Sequence, residues 1–460
     1  MFLAILRVRQ RLRRGIMTGT VSADPVQAKQ EGIYFISQNT TLKKCLNPDL
    51  KDGPKYIYKN KNRLLRVPQP IDSLDNSSVK SGHNNENEYG WADFQEEITS
   101  RVADFLRPYF DQVVLLLGAG ASIVPKKKKD DSGSGDPTPN ESYGLPMSGI
   151  LTAIGTELSE HSSEFYSMSR MKQLAFSDKS PFSDQDDLES VLSQLEKAEE
   201  FISTKYSGKY TRTLKRIREI IVDKTKYDFD DQCMNHLALI NFFNRKVSDG
   251  NKLSIATTNY DTLIEEAATK GSYTIFDGFT FSDTPIFDAK MFDWNFVKDV
   301  PNIKTQEVIY DKKVMNLLKI HGSLTWKKDD KVRTVRRVSK SANLDSPLLI
   351  FPSTNKYEQS YRAPYSDLFY KFRELLNRPR TLLVTVGFSF GDAHIFEMVN
   401  DALRHNDGLS MLFTNYSIDS DESSNLGKLK QLIDEGYRVA FLRAALNDDL
   451  PTYLKMDENA

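Results

Sequence analysis

The spacing of apolar residues becomes regular at residue 91. From there Trp91, Phe94, Ile98, Val102, Phe105 and Leu106 recur every three to four positions, which predicts a helix with one apolar face, ended by Pro108. Residues 113–117 follow as an apolar run without polar alternation, the pattern of a strand buried on both faces. Similar runs recur at Leu253–Thr257, 317–320, 348–351, Thr381–Val386, 410–413 and 437–442. Helical spacing separates several of them, as at Ile395, Met398, Val399, Ala402 and Leu403. Strands alternating with helices predict an α/β fold built on a doubly wound parallel sheet.

About 130 residues separate the first two of these strands, far more than one crossover helix uses. Within that interval Leu188, Val191, Leu192, Leu195 and Ala198 keep helical spacing, as do Leu214, Ile217, Ile220 and Ile221. A helical subdomain inserted at about residues 150–248 is therefore expected. Ahead of residue 91, residues 33–36 and 56–67 suit short strands, the second as an edge hairpin. Residues 72–90 are mostly Ser, Asn, Asp, Glu and Gly, with only Leu74, Val79 and Tyr89 to bury, so ordering them has little to offset its entropy. The expected division is an N-terminal extension with a flexible linker at 1–90 and a folded body at 91–460.

Charge narrows the function classes. Sixty-two basic side chains against 63 acidic ones leave a formal charge of -1, which excludes a protein that wraps nucleic acid in a broad basic surface and leaves a local nucleic-acid contact open. The longest apolar stretch, residues 113–124, contains two glycines and is shorter than the ~20 residues of a spanning helix, so no membrane association and a cytoplasmic location are expected. The start is unusual: Arg7, Arg9, Arg11, Arg13 and Arg14 occur with no acid. It reads as a transit-like leader, as sequence ahead of a start at Met17, or as a basic arm touching a partner. Cys45 and Cys233 are the only cysteines and neither has a C-x-x-C partner, so neither a disulfide scaffold nor a four-cysteine zinc ribbon is expected.

Four polar motifs each close a predicted buried strand. Gly118-Ala119-Gly120-Ala121-Ser122 follows the first; glycines there let backbone amides approach a phosphate, or serve only a tight turn. A dehydrogenase fingerprint would place glycine where Ile123 stands and an acid on a second strand nearby, and neither is present. Thr257-Thr258-Asn259-Tyr260-Asp261 faces the ligand crevice of an open sheet, or is a helix cap. Lys319-Ile320-His321-Gly322-Ser323 offers a histidine suited to proton transfer near neutrality, or a structural one. Thr385-Val386-Gly387-Phe388-Ser389-Phe390-Gly391-Asp392 is the fourth.

In order and spelling, these motifs resemble the sirtuin family, and most closely its bacterial phage-defence branch, over about residues 91–445. The resemblance implies a Rossmann-like, sirtuin-type domain at 91–460 that takes NAD as substrate. By the same resemblance Gly118, Ala119, Gly120, Ala121 and Ser122 hold its pyrophosphate, with Thr258 beside them. Asn259 orients the nicotinamide ribose and a water, Asp261 contacts the nicotinamide amide and His321 is the general base. Gly387 and Ser389 lie on the adenosine side, and Asn415 at the adenine ribose. The zinc ribbon of sirtuin deacetylases is missing, and their G-I-P-D-F-R stretch remains only as Gly144-Leu145-Pro146, after a loop at 126–143 that suits a solvated segment or a lid. These departures favour an NAD hydrolase that depletes NAD in antiphage defence, with no zinc, over an NAD-dependent protein deacylase or an NAD-sensing assembly scaffold. The family also implies homo-oligomers, and in some members a ring-shaped ATPase or other defence-system partner.

Overall fold

A computed structural model describes residues 32–46, 56–65, 89–124, 144–145, 147–175, 188–299, 308–329, 334–340, 347–349 and 363–456. Alternation of side chains along the central strands sets its layers. In β5 (Gln112–Leu117), Val113, Leu115 and Leu117 enter one apolar core while Val114 and Leu116 enter another on the opposite face. A strand apolar on both faces requires a cover on each side.

On the first face the cover is α1 (Trp91–Phe105), whose Phe94, Ile98 and Val102 are buried, together with α6 (His236–Asn244) and α7 (Leu263–Lys270). On the second it is α8 (Tyr365–Leu376), α9 (Ala393–His405) and α10 (Asn425–Asp434). The other parallel strands are β6 (Leu253–Thr257), β7 (Thr274–Phe276), β10 (Val314–Lys319), β13 (Thr381–Val386), β14 (Leu409–Asn415) and β15 (Val439–Arg443). Across the sheet they lie in the order β15, β14, β13, β5, β6, β10, β7. From β5 the chain winds outward through β6 towards β10 and β7, then returns to β13 and winds the other way. The doubly wound sheet expected from sequence is thus present, with its topological switch between β5 and β13, where open sheets of this class bind ligands.

Three sequence expectations change. Of the 348–351 run only residues 348 and 349 are described, with 350 and 351 outside the described residues, and there Leu349 makes an antiparallel bridge with Gly322 in place of a sheet strand. Its described residues, 348 and 349, are only half-buried, so they lack the two-sided cover a central strand needs. The extension is also not separate from the body. β1 (Gly32–Ser37) pairs antiparallel with β15, Phe35 opposite Leu442, and β2 (Thr40–Leu46), β3 (Tyr56–Asn60) and β4 (Arg63–Leu64) continue outward to make eleven strands among the described residues. Burial explains the junction: Tyr34 and Phe35 are each 1% exposed, and Tyr34 packs edge-on against Trp91 and Phe94 of α1. The linker proposed at 72–90, apart from Tyr89 and Gly90, and the 126–143 loop fall outside the described residues.

A third core belongs to helices between β5 and β6. It joins Ile150, Ile154 and Leu158 of α2 (Met147–Glu160), Met171 of α3 (Met168–Ala175), Leu195 of α4 (Leu188–Ala198) and Leu214 and Ile217 of α5 (Thr204–Thr225). The insert expected at 150–248 is shorter than that, because Leu239, Ile240 and Phe243 of α6 pack on the sheet instead. Tyr260, from the loop after β6, completes this third core. The last helix, α11 (Leu450–Leu454), sits against α1.

Candidate functional site

Register places the sequence motifs together. Leu117 of β5 pairs with Thr257 of β6, which pairs with Lys319 of β10; on the other side Leu117 pairs with Val386 of β13, and Val386 with Thr414 of β14. Five parallel strands therefore end on one line. The residues immediately past it are Gly118, Thr258, Ile320 with His321, Gly387 and Asn415.

At the switch point the loops after β5 and β13 touch backbone to backbone. A Cβ on Gly118 would stand 2.7 Å from the Gly387 oxygen, and one on Gly387 would stand 2.4 Å from the Ala121 nitrogen. Gly387 also has φ +60, a backbone region that disfavours side chains. The Gly118 amide donates to Val386 (3.1 Å), Gly120 to Gly387 (2.9 Å) and Ala121 to Gly118 (2.9 Å). These glycines thus serve loop-to-loop contact, and three of the amides expected to face a phosphate point at protein carbonyls. Ala119 and Gly120 remain half-exposed, and Ser389 is exposed. Ser389 accepts the Gly391 amide at 3.4 Å, and Asn415 accepts the Tyr416 amide at 2.8 Å.

Behind this rim lies a polar cluster. Ser122 donates to the buried Asp261 carboxylate at 2.6 Å, and Asp261 also accepts the Leu263 amide at 3.2 Å, at the start of α7. Asn259 donates through Nδ2 to the Gly118 oxygen and to Ser122 Oγ, both at 2.9 Å, while its own amide donates to Thr257 Oγ1 at 3.0 Å. The Thr258 amide donates to Leu117 at 3.1 Å and its side chain is half-buried. Ser122, Asn259 and Asp261 are thus one connected group. With Nδ2 committed, the Asn259 oxygen is its remaining polar end.

His321, 3% exposed, is held from another direction. Its Nε2 lies 3.1 Å from Oδ2 of Asp392, which is 4% exposed. Oδ1 of Asp392 accepts the amides of His394 and Ile395 at 2.9 and 3.3 Å, capping α9. Buried Lys319 ties the groups together: its ammonium donates to the Asp261 oxygen, to Tyr260 at 3.4 Å and to Glu265 at 3.0 Å. Burial pushes the Glu265 carboxyl up, with Lys319 pulling it back, and Glu265 Oε2 is buried without a partner.

Several of these residues were missed by sequence reasoning. A lysine within a run of buried positions was the available signal for Lys319, since buried lysines occur almost only when paired. Asp392 stood inside a quoted motif, but its partner lies 71 positions away. Asn447 carried no signal; it donates to the oxygens of Ala121 (3.1 Å) and Ile123 (2.9 Å), behind the first loop. Gly144 does meet the site, since a Cβ there would stand 2.3 Å from the Ser122 oxygen.

Strand ends converging on a switch point, with an Asn, Asp and Ser cluster beside a buried His, agree with one comparison. Residues 253–440 match the SIR2-like domain. The matched SIR2-like segment contains β6, β10, β13 and β14 and the motifs that close them, and it supports a sirtuin-like chain with NAD-related chemistry, NAD being the substrate in that family. No curated protein matches the chain significantly. Among the described residues, no helix is long and apolar enough to cross a membrane.

Proposed function

We propose that this chain hydrolyses NAD to nicotinamide and ADP-ribose. The observation that carries the reading is the hydrogen-bonded Ser122, Asn259 and Asp261 group at the switch point, one strand end away from the buried His321, in a chain with a SIR2-like segment.

NAD brings its own leaving group. Its nicotinamide is a cationic pyridinium, so breaking the bond from that nitrogen to ribose C1′ releases a neutral molecule while positive charge develops on the sugar. Water adds its oxygen at C1′ and gives up one proton, so NAD⁺ and water yield nicotinamide, ADP-ribose and H⁺. In this reading the Asn259 oxygen orients the water and the ribose hydroxyls, and His321 takes the proton. Such proton transfer typically contributes about 10²–10⁴-fold. Asp261, bonded to Ser122, holds the nicotinamide side, while the Gly118–Ser122 loop, Gly387, Ser389 and Asn415 line the path of the dinucleotide. In this reading the activity serves antiphage NAD depletion, gated by self-assembly or by a partner, which the likeness of the motif spellings to the phage-defence branch supports.

The test is incubation of the purified protein with NAD, alone and with the products of neighbouring genes, followed by chromatography. Nicotinamide and ADP-ribose without any peptide support hydrolysis; an acyl-ADP-ribose formed only with an acylated peptide supports a deacylase; NAD bound and left intact supports a sensor.

A further inference from the structure

Of the strand ends that meet at the site, β10 carries a charge within its run of buried residues. Lys319 is 2% exposed, and an ammonium is almost never buried unless it is paired. It has three protons to donate and accepts none. Here they meet three acceptors: the carbonyl oxygens of Tyr260 and Asp261, and Oε1 of Glu265 at 3.0 Å. Glu265 lies in the first turn of α7 and its Oε2 is buried without a partner, so Lys319 is the counter-charge that holds its carboxylate.

The two carbonyls are the informative pair. In an extended strand successive carbonyls, like successive side chains, point to opposite sides. Neighbouring carbonyls that reach one ammonium therefore mark a turn, and this one lies between Asn259 and α7. Asp261 is gripped at both ends, its carboxylate by Ser122 and its carbonyl by Lys319. Lys319 stands two positions before His321, and the Ile320 amide between them donates to Thr257 at 2.9 Å. One side chain thus ties the loop after β6, which bears Asn259 and Asp261, to the strand end that bears His321.

We infer that Lys319 is a positioning residue: its ammonium holds the turn at Tyr260 and Asp261 against the end of β10, and so sets Asn259 and Asp261 relative to His321. The kinetic consequence rests on the NAD hydrolase reading, and the structural one does not. Two variants separate positioning from stability. Lys319→Met keeps the apolar stem and removes the charge, leaving Glu265 without its counter-charge and both carbonyls without this donor. Removing one partner of a buried ion pair is strongly destabilising, whereas replacing both by apolar side chains of similar volume is often neutral or stabilising. K319M/E265M should therefore regain most of the melting temperature that K319M loses, while the turn still lacks its ammonium.

The experiment measures thermal melting, steady-state kinetics with NAD, and amide hydrogen exchange by mass spectrometry on wild type and both variants. The expected kcat is lower by the order of 10² in K319M and stays there in K319M/E265M despite the recovered melting temperature, the scale of a 1 Å misplacement of reacting groups. Exchange over residues 258–263, where the Asn259 and Leu263 amides donate to the Thr257 and Asp261 side chains, should be about tenfold faster in the double variant and unchanged over β13 and β14. A lysine that only stabilises would let turnover return with the melting temperature. Wild-type kcat in K319M/E265M, or unchanged exchange over 258–263, therefore overturns the assignment, and the double variant decides it even where K319M does not fold. If wild type leaves NAD intact while exchange quickens over 258–263 in the double variant, the hydrolase reading falls and the Lys319 clamp is supported.

Discussion

His236, at the start of α6, is buried and stays neutral: desolvation lowers its pKa from 6.5 to about 4, with Asp261 opposing. The unfolded chain takes up the proton at the higher value, so this side chain's contribution is complete above pH 6.5 and is lost as pH falls towards 4. The shift corresponds to about 3 kcal/mol. Urea unfolding of wild type and His236→Gln should therefore show a gap at pH 7 that closes by about that amount at pH 4, whereas a constant gap would contradict the buried neutral ring. At this scale the sequence was informative about which residues end buried strands, because Asn259, Asp261 and His321 each interrupt or follow an apolar run. It was silent on contacts between distant segments. Neither the Asp392 to His321 pair nor the Asn447 bonds to the first loop could be read, since side-chain direction depends on packing that spacing does not encode.

The helical layer and the loop after β6 share one side chain. Tyr260 stands between Asn259 and Asp261, yet its ring completes the core formed by α2, α3, α4 and α5, and its carbonyl accepts the Leu324 amide at 3.1 Å, three residues past His321. The insert thereby grips both strand-end loops. Tyr260→Ala should cost about 3–5 kcal/mol, as for other buried aromatic truncations, and should make the segment from α2 to α5 more sensitive to protease. Turnover should fall by the order of 10², the scale of a 1 Å misplacement of reacting groups. A variant with loosened helices and wild-type turnover would show that the layer is a passenger. Elements with long, uniform patterns were legible: Leu253–Thr257 and Thr381–Val386 are strands over the residues expected, and α1 begins at Trp91. The described part of the 348–351 run, residues 348 and 349, was not, because so short an apolar stretch fits a lone bridge as well as a sheet strand.

At the scale of the whole molecule, the eleven-stranded sheet makes the N-terminal strands part of the fold that carries the site. β1 covers the edge of β15, two strands from β13. Deleting residues 1–65 should uncover that edge and the Tyr34 and Phe35 contacts, each worth roughly 1.5–3 kcal/mol, giving a lower melting temperature and aggregation by light scattering. A truncated protein that melts like wild type would return the extension to the status of an appendage. The composition of residues 1–90 suggested such an appendage, because short strands gain their stability from neighbours that a local pattern does not reveal. The central claim, that these strand ends form an NAD-cleaving site, is tested most directly by chromatography of NAD incubated with wild type, N259A and H321A in parallel. The account predicts equal amounts of nicotinamide and ADP-ribose from wild type and none above background from either folded variant. Undiminished product from H321A, or NAD left intact by wild type with and without its neighbouring gene products, would contradict it.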